Sequence, residues 1–172
     1  VIRAFPEDLV GVKSAHYRPG GRPAYDEENP PWGSVDKALE AGELSGTHCM
    51  IDFGVCPKDS PYDEFVTKKL RPGDIHTHVF AQQFPTVDEN GKVYDYMWEA
   101  RERGVLFDVG HGGGSFWFRN GHRALRDGFP PDIISTDLHA GSISGAAQSM
   151  LHTMAKFLNM GMSLEDVIAR ST

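Results

Sequence analysis

Apolar positions along this chain gather into short runs that alternate with stretches of helical spacing. The first run, Leu9 to Val12, closes on Lys13 and leads into a polar, Gly- and Pro-rich segment from Arg18 to Pro31, read as a long functional loop. Ser34 is placed to cap a helix reaching about Gly42, since Val35, Ala38 and Leu39 fall on one face, and Gly46 ends the connection. His48 to Gly54 is β-prone and apolar apart from Asp52 near its end. Ser60 then caps a helix over Tyr62 to Leu70, and Arg71-Pro72-Gly73 turns into Asp74-Ile75-His76-Thr77-His78. In an extended strand residues two apart point the same way, so His76 and His78 are expected to project together.

After a loop-like segment closed by the tight turn Asn90-Gly91, Val93, Met97, Ala100 and Arg101 recur at helical spacing, with Arg103-Gly104 as the stop. Val105 to Gly110 is the next strand and runs into His111-Gly112-Gly113-Gly114-Ser115-Phe116. Asn120 to Asp127 reads as helix, Gly128 and Pro130-Pro131 break it, and Asp132 to Asp137 is a further strand. From Ser144 the pattern is helical, with Met150, Met154, Phe157 and Leu158 on one face, and Ser163 caps a last helix.

The order is strand then helix, with five strands ending near Lys13, Asp52, His78, Gly110 and Asp137. Near-continuous apolar strands alternating with helices point to a parallel sheet covered on its faces. Each unit is roughly thirty residues, the size of one βα element in an eightfold barrel of about 250 residues. The predicted fold class is therefore α/β, a partial TIM (β/α)8 barrel of about five βα units with the N-terminal strands missing. An open doubly wound sheet is the rival arrangement and needs no missing strands.

The bulk numbers narrow the picture. The 172 residues, 40% of them hydrophobic, suit one domain spanning 1–172. A net charge of -7 with dispersed Lys and Arg argues against a nucleic-acid partner. Cys49 and Cys56 suggest no disulfide framework, and no apolar run approaches the roughly 20 residues that cross a bilayer. A cytoplasmic protein without a membrane partner is expected. The chain begins at Val1 and ends directly after a helical pattern, so both ends read as cut.

Ionisable groups collect at the strand ends, where ligands bind in barrels and open α/β sheets alike. A lysine at 13, carboxylates at 52 and 137 and an imidazole at 78 suit a hard or borderline cation, except that an unmodified ammonium cannot be a ligand. Asp52 and Asp137 have the alternative of capping the following helices. His111 has the alternative of being placed by a turn, while the glycines beside it, Gly112 among them, let a ligand approach the backbone, whose amides are candidates for an oxyanion. The Gly run has neither G-x-G-x-x-G order nor a following Lys-Ser/Thr, so a nucleotide phosphate loop is disfavoured.

These residues carry a resemblance. Gly104 to Phe116 followed by Ile134-Ser135-Thr136-Asp137-Leu138-His139 resembles the seventh and eighth strands of amidohydrolase-superfamily metal enzymes of the dihydroorotase and D-aminoacylase type. Arg71 to His78 is similar to their sixth strand, and Val10-Gly11-Val12-Lys13 to the fourth. The resemblance implies the C-terminal portion of a barrel hydrolase cleaving an amide or ester bond in a small acylated or cyclic substrate. It further implies one or two divalent metals, commonly zinc, with a CO2-derived carbamate on Lys13 as a bridging ligand. His78 and Asp137 match metal-binding positions, Asp137 also moves protons as general base and acid, and His111 and Gly112 face the substrate. His76 falls to a supporting role.

Two departures stand out. The family's early His-x-His has no counterpart upstream of Val1, and Asp52 occupies a place where many relatives carry a histidine ligand. The second reading is a catalytically inactive metal or small-molecule binding α/β domain. The partners expected are a small-molecule substrate and, through open sheet edges, a homo-oligomer; the 172 residues alone are expected to be inactive and poorly folded.

Overall fold

Four strands run parallel in chain order: β1 (Gly11–Tyr17), β2 (His48–Phe53), β3 (Ile75–His76) and β4 (Leu106–Phe107). The computed structural model describes residues 1–17, 32–53 and 61–172. The expected loop from Arg18 to Pro31, the Ser60 cap and Cys56 lie outside the described residues.

The register decides which side chains share a face. Lys13 pairs with Met50, Met50 with Ile75 and Ile75 with Leu106; one residue further on, Ser14, Ile51, His76 and Phe107 form the next row. The second row is buried under the helices, with Ile51, His76 and Phe107 fully enclosed. On the opposite face Lys13 is exposed and Met50, Ile75 and Leu106 are half-buried. Among the described residues the apolar core lies on the face covered by helices.

Between the strands lie α1 (Gly33–Ser45), the short helical turn α2 (Tyr62–Glu64) continued by a wider turn over Phe65–Lys69, α3 (Asp95–Glu102) and α4 (Phe118–Arg126), followed by α5 (Met150–Asn159) and α6 (Leu164–Ser171). Parallel strands joined by helices bear out the α/β expectation. Several boundaries differ from the sequence reading. Trp32, at φ 66°, is the N-cap of α1, so Ser34 lies inside the helix and places its Oγ 3.1 Å from Ser14 Oγ. Val93 precedes α3 and pairs antiparallel with Val87. The last helical pattern starts at Met150 rather than Ser144, because Ser149 Oγ accepts from the His152 N–H and sets the N-cap there. Ser163 caps α6 as expected, accepting from Asp166 N–H.

β3 and β4 are short because their carboxyl ends turn into site residues. The expected strand from Asp132 to Asp137 docks on β4 through one parallel bridge, Asp108 to Ile133, and through N–H groups of Val109, His111 and Gly112 donated to Ile133, Ser135 and Thr136 carbonyls. Two arginines hold this fifth segment from the helix layer. Arg101 of α3 lies 3.6 Å from the Phe129 ring centroid and donates to Pro130 O and to Asp132, while Arg170 of α6 donates to Pro131 O at 2.7 Å.

The turn into β3 is tied by Asp74, which is fully buried. Its carboxylate accepts from the Cys49 and Arg71 N–H groups, both at 2.8 Å, and from the Arg71 guanidinium at 2.9 Å. Burial disfavours the charge on Asp74, but the Arg71 bonds and the two amides outweigh it and hold its pKa below the ordinary carboxylate value.

Candidate active site at the strand ends

The two histidines of β3 part company. His76 continues the helix-facing row and is fully buried among Tyr62, Phe65, Phe84 and Phe107, with Nε2 2.8 Å from Tyr62 Oη. Burial pushes its pKa down to about 3, so the ring is neutral at ordinary pH. At His78 the backbone takes φ 60°, leaving the extended conformation. Strict alternation therefore fails two residues after the strand ends, and the two rings do not share a face.

His78 turns toward the ends of β2 and β4. Its Nδ1 donates to Gly110 O at 2.6 Å, which leaves Nε2 directed at Asp52 Oδ2, 3.4 Å away. Both residues are buried, His78 at 4% exposure and Asp52 also at 4%. Burial opposes a charge on His78, but the hydrogen bond and charge of Asp52, with the Gly110 carbonyl and Asp137, outweigh it and raise the imidazole's pKa above its ordinary value. Asp137 thus lies within electrostatic reach of His78. Asp52 follows Met50 by two residues, so it projects from the same face as Lys13.

Gly110 explains how His78 fits. Its φ is 45°, and a Cβ there would stand 2.3 Å from Thr77 Oγ1 and 2.5 Å from His78 Nδ1. Beneath this contact is Asp108, 1% exposed, whose carboxylate accepts from Thr77 Oγ1 at 2.5 Å and Ser135 Oγ at 2.7 Å. Burial pushes the Asp108 pKa up, although both hydroxyls and nearby His78 work against that shift. Asp108, Thr77 and Ser135 join β3, β4 and the fifth segment under the site. The sequence reading did not single them out; its one signal was an acid inside the apolar run Val105 to Gly110.

Asp137 is exposed at the end of the fifth segment with φ 43°. It lies against Gly112, where a Cβ would come 2.7 Å from Asp137 Oδ2. The Gly112 N–H is donated to Thr136 O at 2.8 Å, so that amide belongs to the sheet and does not face an oxyanion. The His111 ring is 2% exposed and stacks on Phe116 at 4.9 Å. Its place is on the helix side, behind Gly112.

Asp52 and His78 are the pair that the fold joins directly. A carboxylate beside an imidazole whose other nitrogen is fixed by a backbone carbonyl is the donor chemistry a divalent cation takes. Among the described residues no three of His, Cys, Asp and Glu are grouped to hold a metal ion. The two-donor pair fits such an ion; Asp137 is placed at the same strand ends without closing on it, whereas Lys13, expected where its strand ends, lies opposite Met50 in the first half of β1, which continues to Tyr17.

No family model matches the sequence. Three curated relatives are named deacetylases. The chain is 36% identical to that of Brucella anthropi over 171 residues and 35% identical to that of Agrobacterium fabrum, covering 96% of this chain and 39% of each relative. A third, from Enterococcus faecalis, is 31% identical over 126 residues. Among solved structures, an adenine deaminase superposes with a TM-score of 0.83 at 27% identity and a dihydroorotase with 0.78 at 26%. Each match covers 99% of this chain and 45% of the other. The chain spans less than half the length of these relatives, and over that length its sequence and fold fit the amidohydrolase superfamily, as a partial barrel.

Proposed function

We propose that this chain carries part of the active site of a metal-dependent hydrolase that cleaves an amide or ester bond in a small acylated or cyclic substrate. The observation that carries the reading is the orientation of His78, with Nδ1 bound to Gly110 O and Nε2 turned to Asp52 at the carboxyl ends of parallel strands. The deacetylase, deaminase and dihydroorotase names of the relatives support hydrolysis at a carbon bonded to nitrogen or oxygen.

Asp52, His78 and Asp137 would hold the metal, with Lys13 joining them as a carbamate that converts its cation into a carboxylate-like ligand. When bound, a divalent ion such as zinc lowers the pKa of a coordinated water toward about 7 and so supplies hydroxide at neutral pH. The protein's own parts have distinct tasks. Gly110 O fixes which His78 nitrogen carries the proton. Asp137, exposed on its Gly112 ledge, is free to take a proton at its carboxylate and return it to the leaving group. Gly112 leaves room for that carboxylate itself, since a side chain there would meet Asp137 Oδ2.

The test is hydrolysis of N-acyl amino acids by the complete protein before and after chelation, with zinc added back. Turnover lost to the chelator and restored by zinc supports the proposal. Metal uptake without turnover of any acyl or cyclic amide would instead support a binding domain, for which the aspartate at position 52 is the specific argument.

A further inference from the structure

Lys156 of α5 is outside the donor set, yet its Nζ stands 2.7 Å from His111 Nε2 and also donates to Ala146 O. The other nitrogen of that ring, Nδ1, is 3.0 Å from Gly112 O. A carbonyl only accepts, so Nδ1 carries a proton; an ammonium only donates, so Nε2 receives one. Both contacts select the same form, a neutral imidazole protonated at Nδ1. A cationic His111 would set N–H against N–H at Lys156. Burial, followed by the nearby charges of Lys156 and His152, also keeps His111 below its ordinary pKa. Phe116 clamps the ring plane, and Phe116 itself packs on Phe80 and Phe157.

The residue whose carbonyl His111 holds is the one Asp137 rests on. Gly112 has φ 52°, and even a methyl group there would stand 2.7 Å from Asp137 Oδ2. A small rotation of this turn therefore moves the surface against which the carboxylate is set.

We propose that Lys156 is a positioning residue: by donating to His111 Nε2 it locks that imidazole as the Nδ1–H tautomer, which anchors the Gly112 turn beneath the Asp137 carboxylate. The lock rests on the contacts alone. Its effect on turnover rests on the hydrolase reading above.

Nitrogen-15 NMR of the imidazoles in the full chain tests it. Wild-type His111 is expected as the neutral Nδ1–H form. Lys156→Met keeps the aliphatic stem and removes the donor; it should yield a mixture of tautomers and displace the Gly112 and Asp137 amide resonances. Lys156→Arg should restore both. Turnover should fall about tenfold in Lys156→Met and recover in Lys156→Arg, the size usual for partners that orient a site residue. A wild-type His111 that is cationic or protonated at Nε2 overturns the proposal, and this readout needs no variant to fold. So does a folded Lys156→Met with unchanged tautomer and unchanged Gly112 and Asp137 signals. A tautomer lock without turnover by the complete protein, wild type included, would refute the hydrolase reading and leave the lock standing.

Discussion

His78 presents Nε2 to Asp52 at 3.4 Å because Gly110 O captures its Nδ1 proton at 2.6 Å. In metal-free protein this pair is strongest when His78 is cationic. Its folded pKa is raised, so the stabilisation is complete below the unfolded value of about 6.5 and is lost as pH rises through the folded one. His78→Gln should remove that part of the pH dependence in urea unfolding. The same substitution should cut bound zinc, measured by elemental analysis after dialysis, to well below the wild-type ratio. Undiminished zinc would exclude His78 as a ligand.

Gly110 and Gly128 make a matched pair for separating backbone strain from contact. Both have positive φ, 45° and 86°, but a Cβ at Gly128 meets nothing within 4 Å. Gly128→Ala is expected to cost about 1 kcal/mol, the ordinary penalty of a left-handed alanine. Gly110→Ala adds a clash with Thr77 and His78 and should cost about 3 kcal/mol. Equal midpoints for the two variants in denaturant would show that the His78 pocket can yield.

Asp74→Asn keeps the shape of the turn into β3 and removes its charge. Leaving the partly buried Arg71 guanidinium without its carboxylate should cost about 3 kcal/mol. Because the Asp74 pKa is depressed, its contribution exists above the unfolded value of about 3.9 and disappears as pH falls through the lower folded value. The variant's acid unfolding should therefore be shallower than wild type in that range.

His76 makes its own window. Held neutral down to about 3 by burial, it binds fewer protons folded than unfolded between about 3 and 6.5, so stability should rise with pH across that interval. His76→Gln should flatten it. An unchanged slope in thermal melts would mean that His76 titrates normally in the folded chain.

The alternation of elements was legible because helical spacing and apolar runs are local properties, read correctly for α1, α3 and α6 within a few residues. Strand lengths were not. β3, β4 and the fifth segment are tied by the Thr77, Asp108 and Ser135 side chains as well as by backbone pairing, and no periodicity records such bonds. Asp52 and His78 were legible as strand-end residues, although their contact needed the positive φ of His78, which nothing about that residue type announces. Lys156 was invisible for another reason. It is a polar position beside an apolar helical face, which a sequence reads as solvent-facing, and the tertiary approach of α5 to His111 gives it a side-chain partner.

The two arginines on the fifth segment have a kinetic consequence. Segment 133–136 accepts the amide protons of Val109, His111 and Gly112, and it is held to the helix layer by the Ile134 N–H donated to Arg170 O together with Arg101 at Pro130 and Arg170 at Pro131 just before it. It can therefore open as a unit smaller than the sheet, and those three amides would exchange with solvent at a common rate set by the opening. Asp137 would travel with it. The time that carboxylate spends at the strand ends is then governed from α3 and α6, so a surface change at either helix would be felt as altered occupancy of the Asp137 position.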